Sequence, residues 1–226
     1  MVVLGKSMTG LWLILPAAML MVGLLYFEKC ENRKGMVPVK GALSALFIAA
    51  AAIQPWPLPA YAAWILTGLI LSLAGDVLLA LPGQRPFLIG LICFLSAHAA
   101  YVVAFFAAVP PSMNTLAVLL PICAASLVVY RWLEPHLGAM KGPVIAYVLV
   151  ISIMLAAAAT FGLADRHTGP GSVMAFSGAL AFYLSDLFVA RDRFVNTGIR
   201  NRYAGLPLYY AGQFLLAYST AMPEGF

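Results

Sequence analysis

Two apolar runs in this chain each contain one carboxylate. They are "LSLAGDVLLAL" at 71–81, with Asp76, and "FYLSDLFVA" at 182–190, with Asp186. Of the eight acidic residues, only these two fall inside runs long enough to cross a membrane; Glu28, Glu31, Glu134, Asp165, Asp192 and Glu224 are read as solvated charges in loops or at the chain end. A carboxylate at the centre of a membrane helix costs about 2.5–3.5 kcal/mol on insertion scales, so its presence asks for a function. Two such groups near one another cannot both ionise cheaply. One is expected to stay protonated and the other charged. That division supplies a general acid and an anionic partner, as in reactions that pass through an oxocarbenium ion. A single buried aspartate can serve as helix–helix glue, but two at matched depth point to chemistry.

Neighbouring polar residues extend the pattern. Gly68, Ser72, Gly75, Asp76 and Leu79 share one helical face, and Gly178, Phe182, Ser185 and Asp186 share another, with Tyr183 one turn before the carboxylate. Small and polar stripes of this kind usually face a bundle interior. "GLICFLSAHAAY" brings His98 and Tyr101 to a common face, and "NRYAGLPLYYAGQ" offers Tyr210 and Gln213. Tyr209 and Tyr210 also suit an aromatic belt. His136 and His167 fall in opposite loops, so the three histidines are not expected to gather on one metal. Cys30, Cys93 and Cys123 have no metal-site or disulfide spacing. No cofactor is implied.

The elements that must position these groups are membrane helices. Hydrophobic residues make up 63% of the 226-residue chain and charged residues 9%, against the roughly 25% charged usual in soluble domains. The deficit runs the length of the sequence, which predicts an all-α, polytopic bundle: a single integral membrane domain over 1–226. At about 20 apolar residues per span, eight helices are expected, over 9–27, 38–54, 60–81, 86–108, 114–132, 142–163, 171–190 and 203–221. Proline and glycine clusters punctuate them, and Pro16, Pro121 and Pro207 fall within spans. The first run has no small-residue cleavage site and reads as a retained helix.

Eleven of the thirteen lysines and arginines lie in the loops after the odd-numbered helices; Lys6 and Arg166 lie on the other face. Basic residues so placed set orientation, which accounts for the net charge of +5 without a nucleic-acid partner. Both termini are then expected outside. Helices three and seven run the same way, and both aspartates stand about 7–8 Å from the cytoplasmic edge at 1.5 Å per residue. "TGLILSLAGDVLLAL" and "SGALAFYLSDLFVAR" also align without gaps at an offset of 110 residues, pairing the two aspartates in a faint internal echo. A lipid in the cytoplasmic leaflet presents its glycerol linkage close to this depth, and Arg191, Arg193, Arg200 and Arg202 lie beside it, with Arg191 and Arg193 the candidates for a headgroup phosphate.

"GDVLLALP", "FLIGLICFLSAHAAYVVAF", "GALAFYLSDLFVARDRF" and "YYAGQ" occur in an order and spacing that resemble the lysoplasmalogenase family of membrane proteins, the YhhN-like group, from about residue 66 to 216. The resemblance implies an eight-helix fold, and the bacterial inner (cytoplasmic) membrane is the expected location. The resemblance also implies hydrolysis of the vinyl ether of lysoplasmenylcholine or lysoplasmenylethanolamine to a fatty aldehyde and a glycerophospho-headgroup. The family's motif aspartates fall on Asp76 and Asp186, with His98, Tyr101, Ser185, Tyr210 and Gln213 at its other recurrent polar positions. The alternative reading is a proton- or cation-coupled transporter, since intramembrane carboxylates often serve that role. A transporter site is expected near the midplane, whereas these aspartates sit toward one face. A non-catalytic scaffold leaves the matched carboxylates unexplained.

Overall fold

The computed structural model describes residues 10–164 and 169–221. Lys6, Asp165, Arg166, His167 and Glu224 lie outside the described residues. Within them are eight long helices: α1 (Ile14–Lys29), α2 (Arg33–Ala52), α3 (Pro59–Ala80), α4 (Gln84–Ala108), α5 (Met113–Leu133), α6 (Lys141–Leu163), α7 (Pro170–Ala190) and α8 (Ile199–Ser219). Seven are long and apolar enough to cross a membrane; α8, with Arg200 and Arg202 in its first turn, falls short on apolarity. The protein is an all-α polytopic bundle, as composition predicts.

Local chemistry sets the ends. Pro59 and Pro170 occupy the first turns of α3 and α7, where a missing N–H costs nothing. Ser112 and Thr115 form a reciprocal capping box on α5. The second helix is longer than its apolar run suggests. Asn32 caps it through the Gly35 N–H at 3.2 Å, so α2 starts at Arg33 and carries Pro38 internally. The expected loop between the last two helices shrinks as well. A π-helical turn, Arg191–Val195, continues α7, and α8 begins at Ile199, four residues before the expected start at 203. The Asp192 carboxylate accepts from the Gly198 N–H at 2.8 Å and pins this corner.

Lipid is as apolar as leucine, so helices associate by close packing and hydrogen bonds rather than by expelling water. Glycines make that packing possible here. A Cβ at Gly68 would meet the Tyr101 ring, and one at Gly75 would meet the Phe94 ring. The glycine before Asp76 therefore makes room for a neighbour on α4. Gly178 of α7 and Gly212 of α8 face one another so closely that a Cβ on either would stand 2.8 Å from the other's carbonyl oxygen.

The most extensive helix pairs are α3–α4 and α7–α8, and α2–α8 and α4–α6 join the halves. The 110-residue offset carries α2, α3 and α4 onto α6, α7 and α8 to within five residues at their starts, and it exchanges those two joining pairs. The internal echo thus extends from sequence to helix packing. α5 is the peripheral helix, packed mainly on α6.

Candidate active site

Asp76 on α3 and Asp186 on α7 line one cavity of about 450 Å³. Each carboxylate has its own set of partners. Asp76 is 4% exposed, and its Oδ2 accepts from the Ser44 hydroxyl at 2.6 Å and the Tyr209 hydroxyl at 2.7 Å. Lys40 lies near enough to act on it electrostatically. Asp186 is more open to the cavity, with 18% of its side chain exposed. Its Oδ2 accepts from the Tyr147 hydroxyl at 2.8 Å, and His98 Nε2 stands 3.7 Å away, beyond bonding distance. The arrangement follows the internal repeat. Each aspartate takes a hydroxyl from the preceding helix, Ser44 of α2 or Tyr147 of α6, and faces one group from the other half, Tyr209 of α8 or His98 of α4.

The residues expected from sequence separate into two shells. Asp76, Tyr183, Ser185, Asp186 and Arg193 line the cavity. Tyr183 reaches the Ser126 hydroxyl at 2.8 Å rather than Asp186, and Ser185 donates to the Phe182 carbonyl at 2.7 Å. Ser72, Tyr101 and Gln213 lie behind the wall as a buried chain: Tyr101 donates to Gln213 Oε1 at 2.7 Å, and Gln213 Nε2 donates to Ser72 at 3.0 Å. This chain ties α3, α4 and α8 together. His98 is fully buried, with its ring against Phe182 and Tyr147. The Phe94 carbonyl acts on the ring, yet neither nitrogen makes a hydrogen bond of good geometry.

Tyr210 is not the tyrosine that reaches Asp76. Its hydroxyl makes no hydrogen bond of good geometry, and its ring packs against Phe47 and Tyr209. One residue of helix turns a side chain by about 100°, and that step puts Tyr209 on the carboxylate. Arg191 donates to Asn201 Oδ1 at 3.3 Å and does not line the cavity, whereas Arg193 lies over the Phe87 ring at 4.1 Å and does.

Sequence reasoning missed Ser44, Tyr147 and Tyr209 as carboxylate partners. The available signal was polarity: Ser44 is the only polar side chain in the apolar run 41–53, and Tyr147 carries the first hydroxyl of α6. Glu28 and Asp192 are also not free loop charges. Glu28 is buried at the end of α1, where Arg202 Nη1 reaches its Oε2 at 3.1 Å and Lys40 Nζ its Oε1 at 3.7 Å. Arg202 Nε also reaches Asp192 at 3.4 Å. Among the described residues no group of three His, Cys, Asp or Glu side chains could hold a metal ion.

The cavity thus has two carboxylates in hydroxyl networks, walls of Leu79, Leu91, Val148 and Phe182, and charged residues at the end where α1, α2 and α8 carry their basic residues. A model of the YhhN family matches residues 36–220. Similar curated proteins include a lysoplasmalogenase of Mycobacterium bovis, 30% identical over 180 residues that cover 77% of this chain and 65% of that one. Others are lysoplasmalogenase TMEM86A of Bos taurus, 33% identical over 69% of this chain and 64% of its own, and human lysoplasmalogenase TMEM86B, 36% identical over 67% and 60%. The chain therefore spans less than two thirds of the length of these relatives. No solved structure matches it. The matched region holds α2 from Met36 through the end of α8, and with it both aspartates and all their hydroxyl partners. On that coverage the chain belongs to the YhhN family.

Proposed function

We propose that the protein hydrolyses the vinyl ether of lysoplasmalogens taken from the cytoplasmic leaflet, releasing a fatty aldehyde and a glycerophosphocholine or glycerophosphoethanolamine. The observation that carries this reading is one cavity lined by two aspartates in separate hydroxyl networks. The names of its relatives supply the bond to be broken.

Vinyl ether cleavage needs a proton at carbon and shelter for a cation. Asp186 is the proton donor in this scheme. It has one hydroxyl donor and the more open side chain, which leaves an oxygen free to carry a proton into the cavity. The proton goes to the β-carbon, the double bond moves to C–O, and the α-carbon becomes part of an oxocarbenium ion. Asp76, with two hydroxyls on one oxygen and Lys40 close by, is the carboxylate better furnished to hold negative charge beside that cation. Water adds to the α-carbon and returns a proton to Asp186. The hemiacetal then collapses: its hydroxyl proton leaves, the ether oxygen takes a proton, and the C–O bond breaks to aldehyde and alcohol. One water is consumed and no proton is lost or gained.

Purified protein in detergent, given a lysoplasmalogen, is expected to release fatty aldehyde with no membrane gradient. Failure across choline and ethanolamine headgroups would overturn the reading and favour a transporter. Tyr209 and Tyr210 give a sharper contrast. Hydrogen bonds to charged groups contribute about 1.5–3 kcal/mol, so Tyr209→Phe is expected to lower kcat about ten- to a hundred-fold. Tyr210→Phe, which removes a hydroxyl that makes no hydrogen bond of good geometry and does not reach Asp76 directly, should stay within about twofold. Comparable losses in both variants would remove the special place given to Tyr209.

A further inference from the structure

We infer that Lys40 and Arg202 form a phosphate site at the charged end of the cavity, one helical turn from the reacting layer, and that it selects lipids whose phosphate lies three carbons from the ether. The inference rests on the lysophospholipid reading above. Six charged side chains line that end: Arg33, Lys40, Arg193 and Arg202 against Glu28 and Asp192. The excess is cationic, which suits an anion.

The two acids hold the cations rather than cancel the site. Arg202 directs Nη1 to Glu28 and Nε to Asp192, which fixes the guanidinium plane and leaves Nη2 for a ligand. Lys40 Nζ is held by ion-pair attraction to Glu28 at 3.7 Å, which leaves its donors for a ligand. Buried at 6% exposure, Glu28 is the common anchor of both. A guanidinium fork beside an ammonium is a fit for phosphate oxygens.

The spacing is a ruler. Ser44 touches Asp76, and its hydroxyl also lies 2.9 Å from the Lys40 carbonyl, one turn back on α2. Four residues at 1.5 Å rise separate Lys40 from Ser44 by about 6 Å along the helix. In a 1-alkenyl glycerophospholipid the ether oxygen and the phosphorus are five single bonds apart, which spans roughly 6 Å when extended. A phosphate held by the flexible Lys40 side chain and by Arg202 would then leave the vinyl ether within reach of the carboxylate layer. The sequence places Arg202 beside the lipid linkage with Arg191, Arg193 and Arg200 but points to Arg191 and Arg193 for the phosphate; Arg191 is turned to Asn201.

The test is equilibrium binding to the purified full chain in a maltoside detergent. A saturated 1-O-alkyl-glycero-3-phosphocholine, which has no vinyl ether to cleave, is compared with the matching 1-O-alkylglycerol. The wild type is expected to prefer the phospholipid at least tenfold, and to lose that preference as salt rises. Lys40→Met, and the double variant Glu28→Gln/Arg202→Met that removes the cation together with its buried partner, should each cut phospholipid affinity about tenfold while leaving alkylglycerol affinity in place. Equal binding of the two lipids by wild type, a preference indifferent to salt, or unchanged preference in both variants would overturn the site. Inorganic phosphate or glycerol phosphate competing as well as the lipid would show a site for free phosphate and overturn the headgroup assignment. Because no bond is broken, the site stands or falls separately from hydrolysis: preference without aldehyde release would retain it and discard the enzyme.

Discussion

Asp186→Asn and Asp76→Asn are each expected to lower aldehyde release by about 10²–10⁴-fold, the usual contribution of a positioned acid–base group, while the protein still folds and purifies as a monodisperse species. Asparagine keeps the shape of both side chains, so Ser44, Tyr209 and Tyr147 retain an oxygen to bond. It removes the transferable proton at Asp186 and the negative charge at Asp76. The two losses should differ in kind. Without Asp186 the cation forms far more slowly, and substrate affinity should be close to that of wild type. Without Asp76 the cation forms without its counter-charge, and binding of positively charged mimics of an oxocarbenium ion should weaken together with kcat. Such a mimic binding the Asp76→Asn protein as tightly as wild type would reverse or cancel the assignment. Full activity in either variant would end the two-carboxylate mechanism.

The carboxylates were legible because a membrane makes charge expensive, so two aspartates in apolar runs stand out against 63% hydrophobic residues. The helices were legible for the same reason: seven strongly apolar runs and one weaker one became eight helices. What the runs could not give is where polar residues extend a helix. Asn32 draws Arg33 and Lys34 into α2, and Gly198 opens α8 with Arg200 and Arg202 already inside. The partners of the carboxylates were less legible still. Ser44, Tyr147 and Tyr209 lie 32, 39 and 133 residues from the aspartates they serve, and Arg202 lies 174 from Glu28. Periodicity reports which face of one helix is polar, not which neighbour fills it. The choice between Tyr209 and Tyr210 depends on a rotation that only packing fixes. His98, Tyr101, Ser72 and Gln213 were legible as polar residues, and three of them proved to bind helices together behind the cavity wall.

Gly178→Ala and Gly212→Ala are expected to be the most damaging small substitutions outside the carboxylates, and their cause lies in that packing. A Cβ at either position would stand 2.8 Å from a backbone oxygen of the facing helix. Backbone cannot rotate aside as a ring can, so α7 and α8 must separate. Overpacking of this kind costs about 1–3 kcal/mol, visible as a lower melting temperature in detergent. Activity should fall further than stability alone predicts. Tyr209 precedes Gly212 by three residues and Gln213 follows it, so moving α8 from α7 disturbs both the Tyr209–Asp76 bond and the Gln213–Tyr101 bond. Gly142, in the first turn of α6, has nothing within 4 Å of an added Cβ. Gly142→Ala is therefore expected to be neutral or to stabilise by about 0.4–1 kcal/mol through reduced freedom of the unfolded chain. If all three variants melt alike, the glycine contact between α7 and α8 is not what sets α8 against the site. A lowered melting temperature with full aldehyde release in Gly212→Ala would instead mean that the Tyr209–Asp76 bond survives the separation, and that α8 reaches the carboxylate independently of α7.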